Sequence, residues 1–281
     1  MPVTIITDSS SLMPPELARR YGITVVPVTV VINGVEYVDG IDIDADSFYA
    51  FFADGATPVL STSQPSPGRF AAAYQEAVAN GASEILSIHV SSAVSGTLNS
   101  ASLAAADSPV PVQLVDTGLA GFGISCCVWE AAEALRAGAS LENAATVAEA
   151  TAATVGNVFI VHALELMRSG GRVAIPENAA TAGIPILSYI GTELKVVGTA
   201  GDVEAAAQAM AAFCTRPELG SPLRAAIGTA DRATAPLSQA LDRLLASHPA
   251  VSDVVHYRIG PSMGANTGPG TSGAFFYPAR I

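Results

Sequence analysis

The stretch Glu84-Ile85-Leu86-Ser87-Ile88-His89-Val90, running into Ser91-Ser92-Ala93-Val94-Ser95-Gly96-Thr97, decides how this chain is read. The apolar run has strand length, and the segment that follows 95 has helical character to about 106. Between them lies a loop made of small hydroxyl residues. Such strand-to-helix passages, repeated, build a parallel sheet with helices on both faces. The same rhythm recurs on either side. Strands are predicted over 3–7, 24–31 and 111–116, with helices near 14–21, 46–53, 67–80 and 121–137. Asn33-Gly34, set between Val30-Val31-Ile32 and Val35-Glu36-Tyr37-Val38, predicts a tight hairpin added to that sheet.

After a helix near 140–155 the pattern changes at Asn157-Val158-Phe159-Ile160-Val161. Strands are predicted near 184–190, 193–199, 223–229, 252–258 and 273–277, with longer helices near 202–214 and 233–247. This predicts a two-domain α/β chain: residues 1–157 form a mostly parallel α/β domain, and 158–281 a smaller α+β domain.

Composition restricts the function. Half of the 281 residues are hydrophobic, 14% are charged, and the net charge is −12. The mean hydropathy is +0.42 and the isoelectric point lies near 4.6. An acidic chain with no basic stripe is a poor partner for nucleic acid or for anionic lipid. No run of about 20 residues is free of charges and breakers, so stable membrane insertion is not expected. The N-terminus opens on Val3-Thr4-Ile5-Ile6-Thr7, a strand and not a secretory signal. Cys126, Cys127 and Cys214 have no metal-ligand spacing, and a reducing cytoplasm suits them. The run Asp42-x-Asp44-x-Asp46 resembles the start of a calcium loop, but Ser47 and Ala53 stand where glycine and the bidentate glutamate belong. A solvated loop ending in an Asp46 helix cap is expected instead, with no metal and no cofactor.

Two loops are candidates for binding an anion: Thr62-Ser63-Gln64-Pro65-Ser66-Pro67-Gly68 and Ser91 to Thr97. Helix N-termini carry unsatisfied N–H groups and a partial positive charge, and hydroxyls beside them favour an oxyanion. Taken alone, each loop reads better as ordinary turn and cap chemistry, and it is their pairing and order that favour binding. His89, within an apolar strand, reads as a satisfied core histidine. A hydrolase built on Ser95 with His89 or His162 lacks the Gly-x-Ser-x-Gly elbow. Gly118-x-x-Gly121-x-Gly123 has the wrong spacing for a dinucleotide loop.

Taken in order, these segments resemble the DegV family of bacterial fatty-acid-binding proteins. The resemblance rests on Thr7-Asp8-Ser9-Ser10, the two hydroxyl loops, and Val115-Asp116-Thr117 with Gly121 and Gly123. It continues through Ser169-Gly170-Gly171-Arg172-Val173 to Thr267-Gly268-Pro269-Gly270-Thr271, spanning nearly the whole chain. The resemblance implies a non-enzymatic lipid-binding protein that buries one long-chain fatty acid between its two domains. It also implies presentation of the acyl carboxylate to a separate fatty acid kinase for phospholipid synthesis. Carried over residue by residue, it places the carboxylate on Thr62, Ser63 and Ser95, with Gly96 and Thr97 completing the loop. Arg172 stands at the family's functional arginine, and Asn266 where the family commonly has histidine. Asparagine can donate a hydrogen bond but cannot carry a titrating charge. Gly201 and Asp202 stand where the family tends to be basic, and Gly183-Ile184-Pro185-Ile186 lacks its usual lysine. The competing expectation is an enzyme subunit of the dihydroxyacetone-kinase type acting on a small metabolite, an argument from fold alone.

Overall fold

A computed structural model describes residues 2–169, 174, 176 and 183–279. It divides into two compact units: the chain up to Asp42 with Thr62–Ala153, and Ile43–Ser61 with the chain from Thr154 onward.

The first unit begins with β1 (Val3–Asp8), α1 (Pro15–Tyr21), β2 (Thr24–Val26), β3 (Thr29–Ile32) and β4 (Val35–Val38). The chain then passes through α2 (Ala45–Ala50) of the second unit and returns along β5 (Leu60–Ser63). It continues with α3 (Pro67–Ala79), β6 (Glu84–His89), α4 (Thr97–Ala105), β7 (Val112–Asp116), α5 (Phe122–Arg136) and α6 (Leu141–Ala152). Four strands form a parallel sheet in the order β2-β1-β6-β7. Alternation along β1 separates the two cores. Ile6 joins Ile85 under Phe70, Tyr74 and Ala77 of α3 and Ala101 and Ala104 of α4. Ile5 joins Leu86, Ile88 and Val115 under Ile124, Cys127, Val128 and Ala131 of α5 and Ala144, Ala145 and Ala148 of α6. The alanines let α5 and α6 pack closely. Burial pushes the Cys127 thiol up to about 12, and Cys126 and Cys214 are buried as well.

The strand predicted over 24–31 is two strands, because Pro27 has no N–H to give a ladder. β2 stays in the parallel sheet, while β3 joins a small sheet of order β4-β3-β5. The Asn33-Gly34 hairpin forms with both residues at positive φ (51° and 84°) and Ile32 opposite Val35, the signature of a type I′ turn.

The second unit holds β8 (Gly156–Ile160), α7 (Leu164–Ser169), β9 (Ile184–Ile190), β10 (Glu193–Ala200) and α8 (Val203–Cys214). It ends with β11 (Leu223–Thr229), α9 (Ala235–Ala246), β12 (Val251–Arg258), α10 (Pro261–Thr267) and β13 (Ser272–Pro278). Its mixed sheet runs β10-β9-β8-β13-β11-β12. Ile160, Ala225, Ile227 and Phe276 of the sheet bury against Ala206 and Met210 of α8 and Leu237, Leu241 and Leu245 of α9.

The division differs from the contiguous boundary expected at 157/158. Ile43–Ser61 belongs with the second unit because its aromatics pack there. The Tyr49 hydroxyl donates to the Ile259 carbonyl at 3.0 Å. Gly264 of α10 leaves so little room that an added Cβ would lie 2.6 Å from the Phe48 ring and 2.8 Å from the Tyr49 hydroxyl. The cap of α2 also lies two residues earlier than expected. Asp44, not Asp46, accepts from the Ser47 N–H at 2.8 Å, and that bond holds its carboxyl below the usual range. Asp46 instead pairs with Arg258 at 2.7 Å. Among the described residues no group of acids, histidines or cysteines has metal-binding geometry.

Candidate functional site

The serine loop follows β6 of the parallel sheet, and the other hydroxyl loop follows β5 of the small sheet. β5 carries Thr62 and Ser63 at its last positions, with Thr62 half-buried and Ser63 exposed. The cap of α3 is Ser66, whose hydroxyl accepts from the Arg69 N–H at 3.3 Å. The residue that caps α3 is therefore Ser66 and not Thr62 or Ser63.

The second loop folds on itself. Ser95 N–H donates to the Ser91 carbonyl at 3.1 Å, and the Ser91 hydroxyl accepts from Ala93 N–H at 3.2 Å. Ser95 Oγ and Thr97 Oγ1 share a hydrogen bond of 2.9 Å, and Thr97 N–H reaches Ser95 Oγ at 3.3 Å. Gly96 begins α4 without a side-chain cap. Thr97 is buried, while Ser95 and Gly96 are half-exposed and the chain from Ser92 to Val94 faces solvent. The two loops meet at Gly96: a Cβ added there would lie 2.7 Å from Gln64 Nε2 and 3.0 Å from Gln64 Cδ. Gln64 directly follows Ser63, so both expected carboxylate-binding segments come together on one edge of the first unit.

Asp116, at the end of β7, is a structural participant that residue type alone did not reveal. Its carboxylate accepts from Ser92 N–H at 3.3 Å, from the Ser92 hydroxyl, and from Gly118 N–H at 3.0 Å. Beside it, Thr117 N–H and Oγ1 donate to the His89 carbonyl at 3.3 and 2.8 Å. These bonds fasten the serine loop to the neighbouring strand end. The signal in the sequence was an acid at a strand terminus followed by Thr-Gly.

Beneath the loops lies a buried polar chain. Asp8 Oδ2 meets His89 Nδ1 at 2.9 Å, His89 Nε2 meets Ser87 Oγ at 2.7 Å, and Ser87 Oγ meets the Tyr74 hydroxyl at 2.9 Å. Asp8 also accepts from Ser10 and from Val90 N–H, and Phe70 packs edge-on to the His89 ring at 5.0 Å. The order carboxylate–imidazole–hydroxyl is that of a hydrolase triad, but Asp8, Ser87 and His89 are each 0% exposed. A triad needs a substrate at its hydroxyl. His89 is a core histidine, as expected, and its serine partner is Ser87 and not Ser95. Desolvation in the same cluster pushes the Tyr74 hydroxyl up.

Asn266 lies in the second unit, on α10, with Nδ2 donating to the Ser262 carbonyl at 3.0 Å. The glycine loop after it has Gly268 and Gly270 at φ of 71° and 73°, and Gly270 N–H donates to Asp231 at 3.1 Å. Arg172 lies outside the described residues. Asp202 is the N-cap of α8, accepting from Ala205 N–H at 2.8 Å, a local reason for an acid there. Among the described residues no helix is long and apolar enough to cross a membrane.

Comparison with known proteins follows the same lines. The profile of a family described as uncharacterised protein, DegV family, matches residues 2–279. A DegV domain-containing protein of Streptomyces coelicolor is 33% identical over 277 residues, covering 96% of each chain. Two solved structures share the architecture. One, described for the fatty acid binding of a DegV family protein from Thermus thermophilus, has a TM-score of 0.88 and 31% identity over 99% of this chain and 100% of its own. The other, DegV of Bacillus subtilis, described as a fatty acid binding protein, has a TM-score of 0.83 and 26% identity over 98% of this chain and 99% of its own.

Proposed function

The chain belongs to the DegV family, and we propose that it binds one long-chain fatty acid without turning it over, its carboxylate held by the hydroxyl loops of the first unit. The observation that carries the reading is the meeting of the two loops at Gly96, which places hydroxyls and an amide beside the uncapped start of α4. A hydrogen bond to a carboxylate contributes about 1.5–3 kcal/mol. Burying a methylene contributes about 0.8 kcal/mol, so a 16-carbon tail gains on the order of 10 kcal/mol before ordering costs. The tail supplies affinity and the loops supply orientation. With a net charge of −12, the protein holds an anion through placed donors, not through a general field. Thr62, Ser63, Ser95 and Thr97 are the hydroxyl contacts of this reading, with Arg172 and Asn266 in supporting roles.

Native mass spectrometry of the purified protein with palmitate or oleate tests the reading, and about one acid per chain is the expected stoichiometry. A protein that neither carries nor takes up either acid overturns it. The reading includes presentation of the carboxylate to a separate fatty acid kinase, in a cytoplasmic setting. Acyl phosphate formed on mixing the loaded protein with a kinase subunit and ATP supports that step, and none formed confines the protein to carriage. The kinase-type enzyme alternative requires a histidine that reaches substrate. His89 is sealed in the core, which removes the candidate in the α/β unit.

A further inference from the structure

Gly96 has φ −80° and ψ 6°, a conformation open to residues other than glycine. Its backbone therefore does not call for glycine. Space does: the nearest heavy atoms to an added Cβ are Nε2, Cδ and Oε1 of Gln64, at 2.7, 3.0 and 3.4 Å. The missing side chain is a seat for the Gln64 amide. Gln64 is itself exposed, so the seat holds a side chain that burial alone would not fix.

The polarity of the loops gives that amide a use. Ser95 Oγ and Thr97 Oγ1 lie 2.9 Å apart, so one of their two protons is spent between them. Ser95 Oγ also accepts from the Thr97 N–H, which uses part of its acceptor capacity. The pair has one hydroxyl proton left to give outward. A carboxylate takes several donors at once. The Gln64 amide brings two N–H bonds and no charge to the same edge.

We propose that Gln64 selects the head group of the ligand: seated on Gly96, it donates from Nε2 to the carboxylate and favours a free acid over an alcohol of the same chain length. The proposal rests on the fatty-acid reading. It also explains why Gly96 matters without touching the ligand through a side chain. Its absent Cβ leaves the amide where the acid needs it.

The test compares palmitate with hexadecanol by isothermal titration on the full-length protein. The variants are Gln64→Ala, Gln64→Glu, Gly96→Ala and the double variant Gln64→Ala/Gly96→Ala, with thermal melts as a check on folding. Loss of one hydrogen bond to a charged acceptor should weaken palmitate about tenfold in Gln64→Ala and leave hexadecanol unchanged. Gln64→Glu keeps the shape but faces one carboxylate with another, and should weaken palmitate about a hundredfold. Gly96→Ala displaces only the end of a flexible side chain, so it should fold normally and match Gln64→Ala. The double variant should be no worse than either single one. If wild type binds palmitate and Gln64→Ala and Gln64→Glu bind it equally well, the proposal is overturned while the fatty-acid reading stands. Equal losses for acid and alcohol, or additive losses in the double variant, overturn it as well. A wild type that binds no palmitate overturns both.

Discussion

Ser87 and Ser95 belong to one strand-to-helix passage, and the molecule uses them in opposite ways. Ser87 sits on the sheet, fully buried, between the His89 ring and the Tyr74 hydroxyl. Ser95 sits beyond the strand end, half-exposed, with the Thr97 hydroxyl at hydrogen-bond distance. The same residue type supports the core at one site and is offered outward at the other. Hydroxyl content alone therefore does not mark a binding loop. Burial between two polar side chains marks Ser87 as structural, and half-exposure at the strand end marks Ser95 as the candidate.

The contrast breaks most readily at its buried end. Replacing Asp8 or His89 with alanine strands the other partner in the core and should cost about 3–5 kcal/mol, read from urea unfolding. A loss below about 1 kcal/mol would mean that water reaches the pair. Ser87→Ala leaves His89 Nε2 and the Tyr74 hydroxyl short of one partner each, and should cost about 1–3 kcal/mol in the same assay. Tyr74→Phe should cost about 1 kcal/mol at neutral pH. Burial holds the Tyr74 proton above its ordinary value. Its stabilising share is therefore complete below about pH 10 and lost as pH rises through the folded value. The fall in stability above about pH 10 should be shallower in Tyr74→Phe than in wild type. At the rim the order reverses. Ser95→Ala and Thr62→Ala should shift stability by less than about 0.5 kcal/mol. Each should weaken palmitate binding about tenfold. Unchanged affinity in both would move the carboxylate elsewhere.

The fold was largely legible in the sequence because its strands and helices repeat with clear periods. The parallel sheet, the Asn33-Gly34 hairpin and α8 and α9 all follow from local pattern. The readings that failed involve residues whose partners are far away in sequence. Pro27 splits a strand by redirecting the chain into another sheet. Asp44 takes the cap because α2 starts at Ala45, and Asp46, already inside the helix, pairs with Arg258, more than two hundred residues on. α10 escaped notice because Gly264 disguises its helical pattern, and the glycine is needed for Phe48 and Tyr49 to approach. At the site, the loops could be read but their support could not. Asp116 carries a signal as an acid at a strand end before Thr-Gly, but its bond to Ser92 does not, and Gln64 on Gly96 has no one-dimensional signature. Both contacts join segments distant in sequence: Asp116 ends β7, the neighbour of β6, and Gln64 follows β5 of the small sheet.

The excursion of Ile43–Ser61 into the second unit has a consequence for biosynthesis. A ribosome releases α2 long before α10, the helix against which Phe48 and Tyr49 pack. For most of translation those aromatics have no native cover, and a nascent chain stalled after Ala153 would display them. The same threading dictates how the gene can be cut. A fragment ending at Ala153 carries an orphaned helix, and one starting at Thr154 lacks a piece of its own core. A permuted chain that carries residues 43–61 on the second fragment is the division that respects both units.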